Sequence, residues 1–161
     1  MTPHRLLAGL SLLWAGALPV AAAGASGGGL AGWVAVVMYG VGAFVCHQRP
    51  ERSFHWGAAA WPVCARCTGI YVGLAAAAML GQFVRRQALA PARARLWLAV
   101  ASLPAAGSLG YEWATGVTPS NAVRAVTGVL LGSALGWMLT VFLADAPNVS
   151  RAQTSSSDEV N

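Results

Sequence analysis

The stretch GIYVGLAAAAMLG, Gly69–Gly81, has a period of four in its smallest side chains. The small residues that recur at every fourth position are Gly69, Gly73, Ala77 and Gly81. A second set with the same spacing lies far downstream: Gly128, Gly132 and Gly136. On a helix, each set forms a flat stripe that lets another backbone approach closely in lipid. The two stripes predict that the helices carrying them pack together. The alternative is that they only reflect composition, since the chain has 19 glycines.

The composition around these stripes is that of a membrane protein. Of the 161 residues, 57% are hydrophobic and 9% are charged, and the mean hydropathy is +0.58. This composition is too apolar for an ordinary soluble domain, and the chain is too short for several domains. We therefore expect one all-α domain, a small polytopic transmembrane helical bundle whose main partner is the lipid bilayer.

Five apolar runs approach the roughly 20 residues that a membrane-spanning helix needs. They are Leu6–Ala23, Leu30–Val45, Thr68–Val84, Leu96–Trp113 and Ala122–Ala144. The first run also fits a cleavable signal peptide, because a basic start precedes it and small residues end it. The bundle is thus predicted to have five helices, or four after cleavage. It occupies residues 1–144, and the polar, Ser-rich tail 145–161 is expected to be disordered.

The formal net charge of +5 comes from arginine alone, since the chain has no lysine. In a soluble protein such a positive net charge indicates binding to nucleic acid. Here, however, the arginines lie between apolar runs and no nucleic-acid-binding module is present in the sequence. The sequence predicts a multi-pass protein of the prokaryotic cell membrane. With one crossing per run, the arginines divide evenly between the two sides. The "RRQALAPARAR" segment, Arg85–Arg95, favours the cytoplasm, so the cysteines are expected to face outward.

Counting crossings also brings polar residues together. Cys46 ends the second run and Cys64 precedes the third, so both lie at one membrane face. Glu112 ends the fourth run and Arg124 begins the fifth, which places them at the same face and allows an ion pair between them.

The segment Cys46–Gly73 holds all three cysteines and two of the three histidines. Its C-x-x-C pair, Cys64 and Cys67, would stand at the positive N-terminus of a helix, which favours thiolates. Metal-binding candidates in the segment are Cys46, Cys64, Cys67, His55 and His47. Three cysteines with one histidine form a normal tetrahedral zinc set, so we expect one zinc ion or another soft metal. Both Arg52 and Arg66 are expected to balance the thiolate charge or to bind an anion. Glu112 and Arg124 are assigned to the same charge-balancing or anion-binding group.

Two other functions stay open at this point. One is a membrane thiol-disulfide oxidoreductase, in which Cys64 and Cys67 exchange electrons with Cys46 or a quinone. The other is a small transporter or lipid-handling protein, in which the cluster only braces the bundle. Nucleophilic hydrolysis is less favoured, because nothing in the sequence marks an orienting group or an oxyanion hole.

Four motifs together resemble one family. In chain order they are "CHQ" (Cys46–Gln48), "ERSF" (Glu51–Phe54), "VCARCTGIYVG" (Val63–Gly73) and "SNAVRAVTGVLLG" (Ser120–Gly132). From about Tyr39 to Gly136 the chain resembles a domain-of-unknown-function family of small prokaryotic multi-pass membrane proteins. The resemblance implies a membrane location and a Cys/His/Arg constellation, and it implies no established activity. Where that family commonly has an Asp in the fourth helix, this chain has none, and Glu112 is the acidic residue present.

Overall fold

The described part of the chain forms five α-helices and one small β-hairpin. A computed structural model describes the backbone of residues 2–83 and 91–158 and the side chains of residues 2–83 and 92–144. The elements are α1 (Pro3–Gly24), α2 (Gly29–Val45), a 3₁₀ turn (Pro50–Arg52), β1 (Ser53–Trp56), β2 (Ala59–Cys64), α3 (Ala65–Phe83), α4 (Pro91–Thr115) and α5 (Asn121–Asp158). The predicted five-helix bundle is confirmed. The hairpin was not predicted. Arg85 and Arg86, which informed the predicted orientation, lie outside the described residues.

Helices α3 and α5 form the most extensive contact of the bundle. All five of the glycines singled out for packing stand at it: Gly69, Gly73, Gly128, Gly132 and Gly136. A Cβ added at Gly136 would come within 2.5 Å of the Leu74 carbonyl oxygen, and one at Gly132 would overlap the Ile70 backbone. Because no side chain separates the two backbones, the small residues are a steric requirement of this contact.

Helices α1 and α3 run antiparallel. Near the end of α3, Gln82 Nε2 donates a hydrogen bond to the His4 carbonyl oxygen at the start of α1, at 3.3 Å. Later in α1 and earlier in α3, the rings of Trp14 and Tyr71 meet edge to face with centroids 5.7 Å apart. The end of α1 therefore lies beside the start of α3.

Helix α2 differs from the expectation that each apolar run crosses the membrane once. It begins after the turn that ends α1, and it ends at Val45, next to Cys46, whose sulfur lies beside the start of α3. Both of its ends thus lie at one end of the α1–α3 pair. Its 17 residues extend about 25 Å, less than the roughly 30 Å of a bilayer core. Ala35 and Met38 hold it against a core made with Leu18, Ala21 and Val63.

The β-hairpin forms because two short runs of aromatic and apolar residues flank a tight turn. Strands β1 and β2 are antiparallel, with Ser53 opposite Cys64 and Trp56 opposite Ala59. The turn contains Gly57 at φ +60°, a conformation that glycine adopts without strain. The hairpin lies at the cysteine end of the bundle, where β2 packs against α1, α2 and α3.

The outer surface of the helices is apolar. Large hydrophobic side chains that are more than half exposed include Leu13, Trp33, Phe44, Trp97 and Phe142. Soluble monomers rarely expose so much apolar surface. By length and composition, α1 over Pro3–Gly24 and α5 over Asn121–Ala144 are each able to cross a membrane, whereas α2 is apolar but shorter. Helix α5 continues to Asp158, and the predicted disorder of the tail 145–161 stays a prediction.

The α3–α5 contact predicts a sharp difference between two glycines. The change Gly132→Leu should destabilise the fold by about 1–3 kcal/mol or more, because the added side chain overlaps the Ile70 backbone. Thermal unfolding in detergent, followed by size-exclusion chromatography, measures the loss. Gly107→Leu is the matched control, since a Cβ at Gly107 of α4 meets nothing within 4 Å. Equal stability of the two variants would show that the stripe is only composition.

Candidate functional site

The three cysteine sulfurs meet at the end of the bundle where the hairpin joins α3. The Sγ atoms of Cys46, Cys64 and Cys67 all lie within 4.8 Å of one another, and each residue is half-buried. All three are free thiols. Each comes from a different element: Cys46 follows α2, Cys64 ends β2, and Cys67 lies in the first turn of α3. The predicted proximity of the cysteines therefore exists in the folded chain.

Polar contacts hold Cys46 in place. Its sulfur accepts a hydrogen bond from the Cys64 backbone N–H at 3.2 Å. Gln48, at φ +47°, turns the chain after Cys46, and its Nε2 donates to the carbonyl oxygens of Tyr39 and Pro62 at 2.8 Å each. Because these carbonyls belong to α2 and β2, one amide fixes the distance between the two elements that supply Cys46 and Cys64.

The structure brings neither histidine into the sulfur cluster. Cys46 has an extended backbone, with φ −148° and ψ 143°, so the next side chain, His47, points to the opposite side and is exposed. His55 pairs with Ala60 in the hairpin, four residues from Cys64 and thus about 13 Å along β2. Among the described residues, the only group with metal-ligand spacing is the three cysteines. A histidine as fourth ligand stays a prediction.

The surroundings favour a thiolate at Cys64. The hydrogen bond from the Cys67 side chain, opposed by burial and aided by backbone N–H groups, lowers the pKa of the Cys64 thiol to about 5. Cys64 immediately precedes α3, whose N-terminal dipole acts in the same direction. One sulfur of the three is therefore set up to be negative at neutral pH.

A second cluster, which we call the arginine cluster, consists of Arg52, Arg66, Arg124 and Glu112. Arg124 Nη2 donates to both carboxylate oxygens of Glu112, at 2.8 and 2.7 Å. Arg52 Nη2 lies 2.8 Å from the same carboxylate. The exposed fractions of the side chains are 2% for Arg124, 6% for Glu112 and 33% for Arg52. The ion pair that the sequence allows between α4 and α5 is thus present and buried, and it includes a second arginine from the 3₁₀ turn.

Arg66 joins the cluster from α3. Its Nη2 donates to Ser108 Oγ of α4 at 2.9 Å, and its charge acts on Glu112 together with Arg124 and Arg52. The hydrogen bonds and ion pairs described for Arg52 and Arg66 thus go to Glu112 and Ser108, on α4. Their expected balancing of the thiolate charge stays a prediction.

The hairpin connects the two clusters. Asn121 Nδ2, at the start of α5, donates to the carbonyl oxygen of the fully buried Ser53 at 2.9 Å. Ser53 is opposite Cys64 in the hairpin and follows Arg52 in sequence. The polar residues of α4, α5, the hairpin and α3 therefore gather at one end of the bundle, as the sequence predicted.

Comparison with known proteins agrees with this arrangement. A family model described as "Predicted membrane protein (DUF2085)" matches residues 46–138, which is more than half of the chain and includes both clusters. The chain belongs to this family. A DUF2085 protein is thus expected in a membrane, in keeping with the apolar helix surfaces.

Two archaeal proteins are similar to this DUF2085 chain. Uncharacterized protein MJ1492 of Methanocaldococcus jannaschii is 30% identical over 112 residues, which cover 68% of this chain and 71% of that protein. An uncharacterized protein of Methanothermobacter thermautotrophicus is 53% identical over 30 residues, which cover 19% of this chain and 27% of that protein. No solved structure matches.

Sequence reasoning about this DUF2085 chain missed three polar residues that build the site. Gln48 joins α2 to the hairpin, Ser108 joins α4 to α3, and Asn121 joins α5 to the hairpin. Gln48 is the third residue of the "CHQ" motif and Asn121 is the second residue of the "SNAVRAVTGVLLG" motif, so both lie in motifs that the sequence displays. Ser108 carried no signal, because one serine in an apolar helix commonly bonds its own backbone.

Glu112 is predicted to be necessary for the fold of this end of the bundle. Glu112→Gln should destabilise the protein by about 3–5 kcal/mol, because it leaves the buried Arg124 without its counter-charge. Glu51→Gln is the matched control. Glu51 is 62% exposed and lies 3.9 Å from Arg49, so its loss should cost about 0–1 kcal/mol. Chemical unfolding of both variants in detergent gives the comparison, and equal losses would contradict a structural role for the buried pair.

Proposed function

We propose that this membrane protein binds one soft metal ion, zinc by default, through Cys46, Cys64 and Cys67. The observation that carries the proposal is the convergence of three sulfurs from three separate elements within 4.8 Å. Buried cysteines that serve only as small apolar residues have no reason to converge in this way. Metal binding would join the end of α2, the hairpin and the start of α3.

The spacing of the sulfurs supports this reading. Zinc–sulfur bonds are about 2.3 Å long, so two thiolates on a tetrahedral zinc lie about 3.8 Å apart. Small side-chain rotations bring sulfurs at the observed separation to that value. The N–H group of Cys64 already donates to the Cys46 sulfur at 3.2 Å, which is the kind of outer contact that stabilises a thiolate ligand.

The fourth coordination position distinguishes a purely structural site from one that handles metal or substrate. Structural zinc sites usually have four protein ligands, whereas three protein ligands leave a position for water or another molecule. His47 and His55 are both exposed and outside the sulfur cluster. We therefore favour a three-thiolate site whose fourth ligand comes from outside this set, and the histidine ligand predicted from the sequence is the alternative that the experiment tests.

Metal content of the purified protein tests the proposal. We expect about one zinc per chain by mass spectrometry of the metal. Loss of an outer-shell partner lowers metal affinity about 10–100-fold. Replacing any one of the three cysteines by Ser removes a direct ligand, so it should lower zinc affinity at least as much. His47→Ala and His55→Ala serve as controls and should retain zinc. Loss of zinc in one histidine variant would identify it as the fourth ligand.

Thiol redox chemistry is the second candidate, and the low pKa of Cys64 beside Cys67 favours it. In that case the two thiols would form one disulfide, and two electrons and two protons would pass to a quinone, giving a quinol. A metal-free protein with a Cys64–Cys67 disulfide, reducible by a dithiol, would replace the metal proposal with this one. Three free, unreactive thiols without metal would refute both.

We further propose that α1, α3, α4 and α5 cross the prokaryotic cell membrane and that α2 lies at its outer face. Both ends of α2 lie at the cysteine end, so α1 ends there too. Arg5, at the start of α1, therefore lies at the opposite end of the bundle, near Gln82. Arg93 and Arg95, at the start of α4, lie at that opposite end too. At the cysteine end, Arg49 is the exposed arginine outside the arginine cluster. The excess of arginines therefore favours a cytoplasmic N-terminus and an outward cysteine end.

Cysteine labelling in intact cells tests this topology. Ser26→Cys, in the turn between α1 and α2, and Ala58→Cys, in the hairpin turn, should both react with a membrane-impermeant maleimide. Ala92→Cys, at the start of α4, should react only after the cells are permeabilised. The unsubstituted chain gives the background from the three native cysteines. Labelling of Ser26→Cys and Ala58→Cys from opposite sides would instead support a crossing by α2.

A further inference from the structure

The arginine cluster contains more positive charge than its own carboxylate can balance. Three guanidinium groups face one carboxylate, because Arg124 and Arg52 both contact Glu112 and the charge of Arg66 acts on it. The net charge of the group is therefore +2. A zinc ion on three thiolates would carry a net charge of −1, so even a neighbouring metal site would leave an excess of one positive charge.

The cluster also has unused hydrogen-bond donors. The Nε atoms of Arg52, Arg66 and Arg124 are buried and have no hydrogen-bond partner among the described residues. Arg124 is 2% exposed, so its guanidinium has lost nearly all of its hydration. Burying a cation and leaving its donors unpaired costs several kcal/mol. An oxyanion would supply both the missing charge and the missing acceptors.

We propose that the arginine cluster is a binding site for a phosphate group. Guanidinium groups bind phosphate oxygens through paired, charge-assisted hydrogen bonds, which favours phosphate over a spherical ion such as chloride. The cluster lies at the end of the bundle, where Arg52 is one-third exposed and forms its open edge. In the membrane topology proposed above, on which this step rests, the cluster lies at the depth of the lipid headgroups, so the phosphate comes either from an anionic phospholipid or from solution.

Arg66→Gln is the variant that tests the site. In the unsubstituted protein, Arg66 Nη2 donates a hydrogen bond to Ser108 Oγ. Removing this guanidinium therefore leaves the Arg124–Glu112 pair intact. Arg49→Gln is the matched control, because Arg49 is exposed and its ion pair within the described part of the chain is with Glu51, at 3.9 Å. The probes are inorganic phosphate, titrated in neutral detergent at constant ionic strength with chloride, and phosphatidylglycerol in phosphatidylcholine nanodiscs.

We expect phosphate or phosphatidylglycerol to raise the unfolding temperature of the unsubstituted protein and of Arg49→Gln. Arg66→Gln should weaken the affinity at least about tenfold, the effect of losing one charge-assisted contact. Stabilisation by inorganic phosphate identifies a soluble ligand. Stabilisation by phosphatidylglycerol alone, with the lipid retained in native mass spectra, identifies a headgroup.

Two results would overturn the proposal. One is the absence of stabilisation by either probe, and the other is an equal loss in Arg49→Gln and Arg66→Gln, which would indicate general attraction between charges. If Arg66→Gln does not fold, Arg52→Gln at the open edge replaces it, with the same tenfold expectation. Arg66→Lys adds a check on geometry: it keeps the charge but loses the planar fork, so it should bind phosphate less well than the unsubstituted protein.

Discussion

The contact between the backbones of α3 and α5 is the constraint on which the rest of this end of the molecule depends. At Gly128 an added Cβ would overlap the Arg66 carbonyl, and at Gly69 it would overlap the Ala125 backbone. These positions lie one turn or less from Cys67 and Arg124. The glycines therefore do more than stabilise the bundle, because they fix the height and distance at which the first turns of α3 and α5 face each other.

The two clusters divide the first turn of α3 between them. Cys67 faces the core that α1 and α2 form, whereas Arg66 reaches Ser108 on α4. Adjacent helical residues point about 100° apart, so neighbours in sequence serve different sites. Chemically the division is sensible, since a soft metal prefers sulfur and a phosphate prefers guanidinium groups. The close spacing of reactive residues in the sequence thus corresponds to two side-chain clusters in the fold and not to one.

Much of this arrangement was predictable, and the exceptions have physical reasons. The helix stripes and the convergence of the cysteines follow from periodicity and connectivity, which the sequence displays directly. The position of α2 does not, because its apolar composition fits a crossing helix, and only its packing against α1 and the hairpin fixes it. The histidines were expected near the sulfurs because they are close in sequence. Strand geometry overrides that proximity, since it turns His47 away from Cys46 and carries His55 along the hairpin.

Arg66 lies between two cysteines in sequence, and its carbonyl is in contact with α5 at Gly128. One rigid turn of helix is thus shared by the sulfur cluster and the arginine cluster. A ligand that moves this turn at one cluster also moves it at the other. Thermodynamic reciprocity then requires that each ligand change the affinity for the other by the same factor. If both proposed ligands bind, the shared turn is the element through which one would change the affinity for the other.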